Sequence, residues 1–299
     1  MTKKELLQTE EEKLYIYSGI LFYNQEFEAG NRMEIAYDFS CPEYAELKAK
    51  YDLERIAGNG TDFQRSMRLM HAFAPRLTHC SWYDNHIECN ALKLLEYSLD
   101  NPEQGINCAN KSKILQELCL ALGIYARRVF IMPQSPYDFD NHVVTEIYDR
   151  KRNKWIMLDP SGDCCFVDET KTPLSLLEMR QKFARDEFVT CVRSTEKKKD
   201  LLKLRQKHME DNAYFSKNLF YFEIDGESRF GRPGSYLTFC PRNFSIKNRE
   251  VGNVRFRLNH LPADYADMRG SLEEWLEKAE KSDEPERTGI EMMEKSPLA

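Results

Sequence analysis

Cys108, His142 and Asp159 stand out among the reactive side chains of this chain. A cysteine thiolate attacks acyl carbons, an imidazole carries protons near neutral pH, and a carboxylate holds an imidazole in one orientation. Together they could perform thiol-based acyl transfer. Each lies where an element is expected to begin or end. Cys108 opens a predicted helix over residues 107–122, closed by Gly123 at the C′ position. The unpaired N–H groups and the dipole of a first helical turn favour an anion, so a thiolate is stabilised there. His142 opens a predicted strand. Asp159 closes the next one, before Pro160 stops it.

The elements that must position these residues are readable in outline. Residues 124–132 are apolar and β-branched and predict a strand, ended by Pro133 and Pro136. Residues 142–149 alternate, with His142, Val144, Glu146 and Tyr148 on one face and Val143, Thr145 and Ile147 on the other. Residues 150–154 predict a turn, and residues 155–159 a returning strand. A tight turn near Arg150-Lys151 sets His142 directly opposite Asp159, with Cβ atoms roughly 4.5–5.5 Å apart. The turn residues lack the Gly expected of a two-residue loop. A one-residue slip would send the two side chains to opposite faces.

Before this stretch the chain reads as mainly helical. Residues 14–27 fit helix or strand. Ser40 is a candidate N-cap with Pro42 in the first turn. Thr61 is expected to cap a helix whose Phe63, Met67, Met70 and Phe73 form a core stripe. Another amphipathic helix begins at Asn90. His79, Cys80, His86 and Cys89 cluster within residues 77–90, but only His86 and Cys89 have paired-ligand spacing, so no metal site is assigned. Cys119 reads as buried and inert. Residues 163–174, with Cys164 and Cys165, read as a loop that leads into a helix. The expected organisation is a helical region over 1–75, a catalytic core over 76–200, a β-rich extension over 201–262, then a helix and a disordered tail over 263–299.

Composition narrows the function classes. Hydrophobic residues make up 41% and charged residues 31% of the 299, which predicts a soluble globular protein with a full core. The net charge of -6 gives no electrostatic case for nucleic acid. The short basic run Lys197 to Lys199 reads as a solvated helix face. No run of about 18 apolar residues exists to span a membrane. The Glu-rich start has no secretory pattern. The nine cysteines are an odd number without framework spacing, which predicts free thiols and a cytoplasmic protein.

Residues 107–129 contain N-C-A-N-K-S, A-L-G-I and A-R-R-V; D-F-D-N-H-V-V and K-W-I-M-L-D-P-S follow. This succession resembles the transglutaminase-like superfamily, and most closely its bacterial transglutaminase-like domain proteins. The resemblance is strongest over residues 90–170 and weaker over 35–90. It implies an α+β fold of the papain-like type, with helices packed on an antiparallel β-sheet. It also implies a catalytic Cys108, His142 and Asp159, a peptide or protein substrate, and no cofactor or metal. The oxyanion is expected to meet the Cys108 backbone N–H and an upstream donor, with Gln104 proposed and Trp82 and Asn107 as rivals. Many members carry Gly before the cysteine and an aromatic after the histidine, where this chain has Asn107, Val143 and Val144. That difference bears on substrate preference. The expected activity is that of a peptidase or amidase. Alternatives are a protein-glutamine amine transferase and a peptide-binding module without catalysis. The oligomeric state is left open.

Overall fold

Caps and breakers divide the chain much as the pattern predicts. The computed structural model describes residues 3–194, 201–231, 234–262 and 265–298; the Lys197 to Lys199 run lies outside them. The ambiguous aromatic segment near the start is helical, in α1 (Lys3–Tyr23). A short strand, β1 (Ala36–Tyr37), precedes α2 (Glu43–Tyr51) and α3 (Leu53–Ala57). Ser40 does not cap α2; its hydroxyl donates to Asp38, and Pro42 holds the N-cap position. Thr61 caps α4 (Asp62–Phe73) in a capping box with Gln64. Asn90 caps α5 (Ala91–Asp100). The next helix is α6 (Cys108–Ala121), followed by Gly123 at φ +70°.

The second half supplies the sheet. Strands β2 (Ala126–Met132), β3 (His142–Asp149), β4 (Lys154–Asp159) and β5 (Cys164–Val167) lead into α7 (Leu176–Ala184) and β6 (Thr190–Arg193). Then come α8 (Leu201–Asn218), β7 (Tyr221–Asp225), the two-residue β8 (Glu227–Ser228) and β9 (Tyr236–Phe239). Three helices follow: α9 (Ile246–His260), α10 (Ala266–Lys281) and α11 (Glu291–Glu294). Seven strands form one antiparallel sheet in the order β6-β5-β4-β3-β2-β7-β9. The fold is α+β, with the large antiparallel sheet that a papain-like arrangement requires.

Helices cover both faces of this sheet, so β3 is buried along its whole length. One core holds Ile147, Ile156, Leu158 and Cys165 of the sheet against α2 to α6. The other holds Val144, Met157, Cys164 and Phe166 with α1, α7 and α8. Two buried ion pairs brace the centre. Arg127 and Glu146 oppose each other across β2 and β3, with Nη2 to Oε2 at 2.6 Å. Arg128 reaches Asp225 through two hydrogen bonds of 2.9 and 3.0 Å.

Three expectations need correction. Residues 164–167 form a paired strand and not a loop, because Cys164, Cys165 and Phe166 are apolar enough to be buried between β4 and β6. The segment 201–262 is not mainly β: α8 and α9 occupy much of it, and β7 and β9 extend the sheet beside β2. The tail after Ser282 is ordered through 298. Most of its charged residues are exposed, Arg287 is tucked against Phe244 O, and Met292 and Met293 enter the second core. Backbone bonds from Thr288 to Thr238 and from Gly289 to Asn31 hold it. Among the described residues no helix is long and apolar enough to cross a membrane.

Candidate active site

The site begins at the first turn of α6. Asn107 takes the N-cap, and its Oδ1 accepts from the Asn110 N–H at 3.1 Å. Cys108 is the first helical residue and half-buried. The helix behind it was expected to bury one side; in fact every residue from Asn110 to Ala121 is buried. Most of its polar side chains bond to the surrounding elements, although Asn110 Oδ1 and Gln116 Oε1 have no partner among the described residues. Ser112 donates to Val143 O, Lys113 to Arg229 O, and Gln116 to Ser228. The helix is therefore held on all sides, and its N-terminus points along a fixed line. Gly105 is needed just before it: a Cβ there would lie 2.7 Å from Cys80 Cβ, where residues 79 and 106 pair as a bridge.

His142 opens β3 and Asp159 closes β4, so both lie at one end of the sheet. The hairpin register differs from the expected one. Asp149 pairs with Lys154 and Thr145 with Leu158, leaving a four-residue loop of Arg150 to Asn153. Asp149 Oδ1 accepts from Lys151 N, and Asn153 sits at φ +55°. The loop is two residues longer than a tight turn, so the pairing shifts by two and face parity is kept. His142 and Asp159 become diagonal neighbours on one face instead of directly opposed. His142 Nε2 lies 3.1 Å from Asp159 Oδ2, an ion-pair contact without aligned hydrogen-bond geometry.

Burial of this pair decides its charge state. His142 is 6% and Asp159 5% exposed. Burial alone would push the His142 pKa down. The Asp159 carboxylate beside it outweighs burial and raises it to about 10. Burial pushes Asp159 up, but His142 and the N–H groups of Ser161 and Gly162 hold it below its ordinary value. Near neutral pH the pair is therefore imidazolium and carboxylate. The Tyr214 and Phe215 rings of α8 stand edge-on to the imidazole at 5.5 and 5.8 Å.

An open cleft of about 1330 Å³ joins these groups, with Cys108, His142 and Asp159 in its lining. Trp82 also lines it but is 95% exposed. Gln104 is elsewhere: its Oε1 accepts from Tyr97 Oη, and it does not line the cleft. Gln104 thus sits outside the cleft lining, away from where an oxyanion donor was expected. Asn107 is spent on the N-cap and on a 3.0 Å bond to Asn85. The clustered His79, Cys80, His86 and Cys89 do not converge. His79 faces Ser81, His86 faces Asp84, and Cys89 meets Asn110 and Arg128. No group of three or more His, Cys, Asp or Glu among the described residues could hold a metal ion.

Tyr214, which lines the cleft, and Lys111 were not singled out by sequence reasoning. Tyr214 comes from a helix far along the chain, with no local motif. Lys111 does not line the cleft but lies buried beside it, and its place on α6 three residues after Cys108 was a readable signal. Among the other cysteines, Cys119 is buried beside Ser66, and burial raises its pKa to about 12.

A family model described as the transglutaminase-like superfamily matches residues 51–160. The chain carries a transglutaminase-like core. The match begins at Tyr51, well before the segment of strongest visible resemblance, and stops at Pro160, one residue after Asp159. The transglutaminase-like core thus runs from the end of α2 through β4 and contains Cys108, His142 and Asp159. No curated protein and no solved structure matches the chain.

Proposed function

We propose that this chain is a cysteine-dependent acyl-transfer enzyme acting on peptide or carboxamide bonds, as a peptidase or amidase. Cys108 is the nucleophile, His142 the proton carrier, and Asp159 the group that orients and charges the imidazole. The observation that carries this reading is that Cys108, at the start of a buried helix, lines one open cleft together with His142 and Asp159, whose imidazole and carboxylate lie 3.1 Å apart.

The steps follow from these positions. The Cys108 thiolate attacks the carbonyl carbon, forming a C–S bond and an oxyanion. The Cys108 backbone N–H, which the first turn of α6 does not use, stabilises that oxyanion. The Trp82 indole N–H is a second donor once substrate covers it. The intermediate collapses, the C–N bond breaks, and the amine leaves with the proton from His142. Water then attacks the thioester and gives its proton to His142, releasing the acid and the thiolate. The open cleft admits water as acceptor, which favours hydrolysis over amine transfer.

Turnover of a fluorogenic peptide mixture by the full chain tests this. The wild type is expected to cleave, and C108A and H142A to lose about 10³-fold or more of that rate. Cys108-dependent incorporation of a fluorescent primary amine into a glutamine-bearing protein, without hydrolysis, would make the chain an amine transferase instead. A C108A chain that keeps full function in cells would make it a binding module.

A further inference from the structure

The cleft that holds Cys108 and His142 is lined by five lysines and arginines. Four of them pair with carboxylates: Lys13 with Glu10 at 2.7 Å, Arg193 and Lys207 with Asp211 at 2.7 and 3.2 Å, and Lys217 with Asp138 at 2.9 Å. The fifth, Arg257 on α9, makes no ion pair and no hydrogen bond among the described residues. Aromatic rings hold it instead. Its guanidinium carbon lies over Phe139 at 4.5 Å and over Trp275 of α10 at 5.5 Å from the ring centres. Such stacking fixes the planar group without using its five N–H donors. Arg257 is half-buried, so these donors are partly withdrawn from water with no anion in return. Burial and then the nearby Arg249 charge hold its pKa below the ordinary arginine value. Arg249 itself is committed to Pro133 O and Asp138 O.

The chain fixes where Arg257 stands along the cleft. Phe139, against which it stacks, is three residues before His142, so their Cα atoms are at most about 11 Å apart. An extended peptide covers that span in roughly three residues. A guanidinium edge matches the two oxygens of a carboxylate, which gives a bidentate pair. We propose that Arg257 is a specificity-determining residue: its guanidinium receives a carboxylate of the peptide substrate, within a few residues of the bond that Cys108 attacks. That carboxylate belongs either to an acidic side chain or to the C-terminus of the peptide. The cutting step rests on the acyl-transfer reading above; the binding step does not.

A randomised N-acetyl hexapeptide mixture, made with free and with amidated C-termini, tests this. Peptides retained by the immobilised full chain carrying C108A, and peptides cut by the wild type, are both read by mass spectrometry. Carboxylate-bearing peptides are expected to be enriched about ten-fold in both. Enrichment of Asp and Glu within the amidated set assigns an acidic side chain. Enrichment of free acids whatever their sequence assigns the C-terminus. R257M keeps an apolar stem against Phe139 and Trp275 and is expected to lose the enrichment, and R257E to turn it towards Lys and Arg. R257Q carries the test if R257M does not fold. Retention without a carboxylate preference, a preference that survives R257M, or an equal loss of every peptide in R257M overturns the proposal, while Cys108-dependent cutting leaves the acyl-transfer reading standing. A carboxylate preference without cutting keeps the Arg257 site and takes down the acyl-transfer reading. Neither retention nor cutting takes both down.

Discussion

His142 is an imidazolium at neutral pH because Asp159 more than offsets the cost of burying it. On the proposed mechanism a raised histidine pKa keeps the proton that the leaving amine needs, so the alkaline limb of kcat/KM is expected near pH 10. In D159N the carboxylate charge is gone while burial remains. The imidazole then falls towards or below its ordinary value, and the alkaline limb should move down by about two units or more. A pH–rate profile of wild type and D159N checks this, and an unshifted limb would contradict it. The positions of Cys108, His142 and Asp159 at element ends were readable in the sequence, because periodicity and breakers mark such ends well. The contact of Gln104 with Tyr97 left no trace in the local pattern, because Tyr97 lies on a different helix.

At the scale of elements, the β3–β4 hairpin shows how a wrong register can keep the right neighbours. The expected turn was too short by two residues, and a shift of two keeps every side chain on its face. The signal for the longer loop was present: Asp149 can bond its own backbone two residues on, and Asn153 tolerates a left-handed φ. The same strand carries Glu146, whose place on the His142 face alternation gave correctly, but whose partner it could not name. That partner is Arg127, stacked 3.8 Å from the Trp155 ring and donating to Met293 O. R127M leaves a buried carboxylate unpaired and is expected to cost about 3–5 kcal/mol of stability. Adding E146L should recover part of that loss. Urea denaturation of both variants reads this out, and equal losses would show that the pair itself is not what is being broken.

At the scale of the molecule, distant segments complete what the transglutaminase-like core begins. Glu10, Lys13 and Tyr17 of α1 and Tyr214 and Lys217 of α8 line the cleft, although α1 precedes and α8 follows the matched residues. The tail crosses back over the sheet, where Lys295 O accepts from the Trp155 indole and Ser296 bonds Tyr148. Neither arrangement could be read from the sequence, because charge-rich composition does not report where two methionines will be buried. What the molecule does depends on whether this cleft makes one cysteine of nine chemically different. The most direct measurement is labelling of the full chain at pH 7 by limiting iodoacetamide, with each site quantified by mass spectrometry. Cys108 is expected to react well ahead of Cys80 and Cys89, the other two cysteines that are not buried, and to lose that lead in H142A. Equal rates at Cys108, Cys80 and Cys89, or a lead that survives H142A, would contradict it.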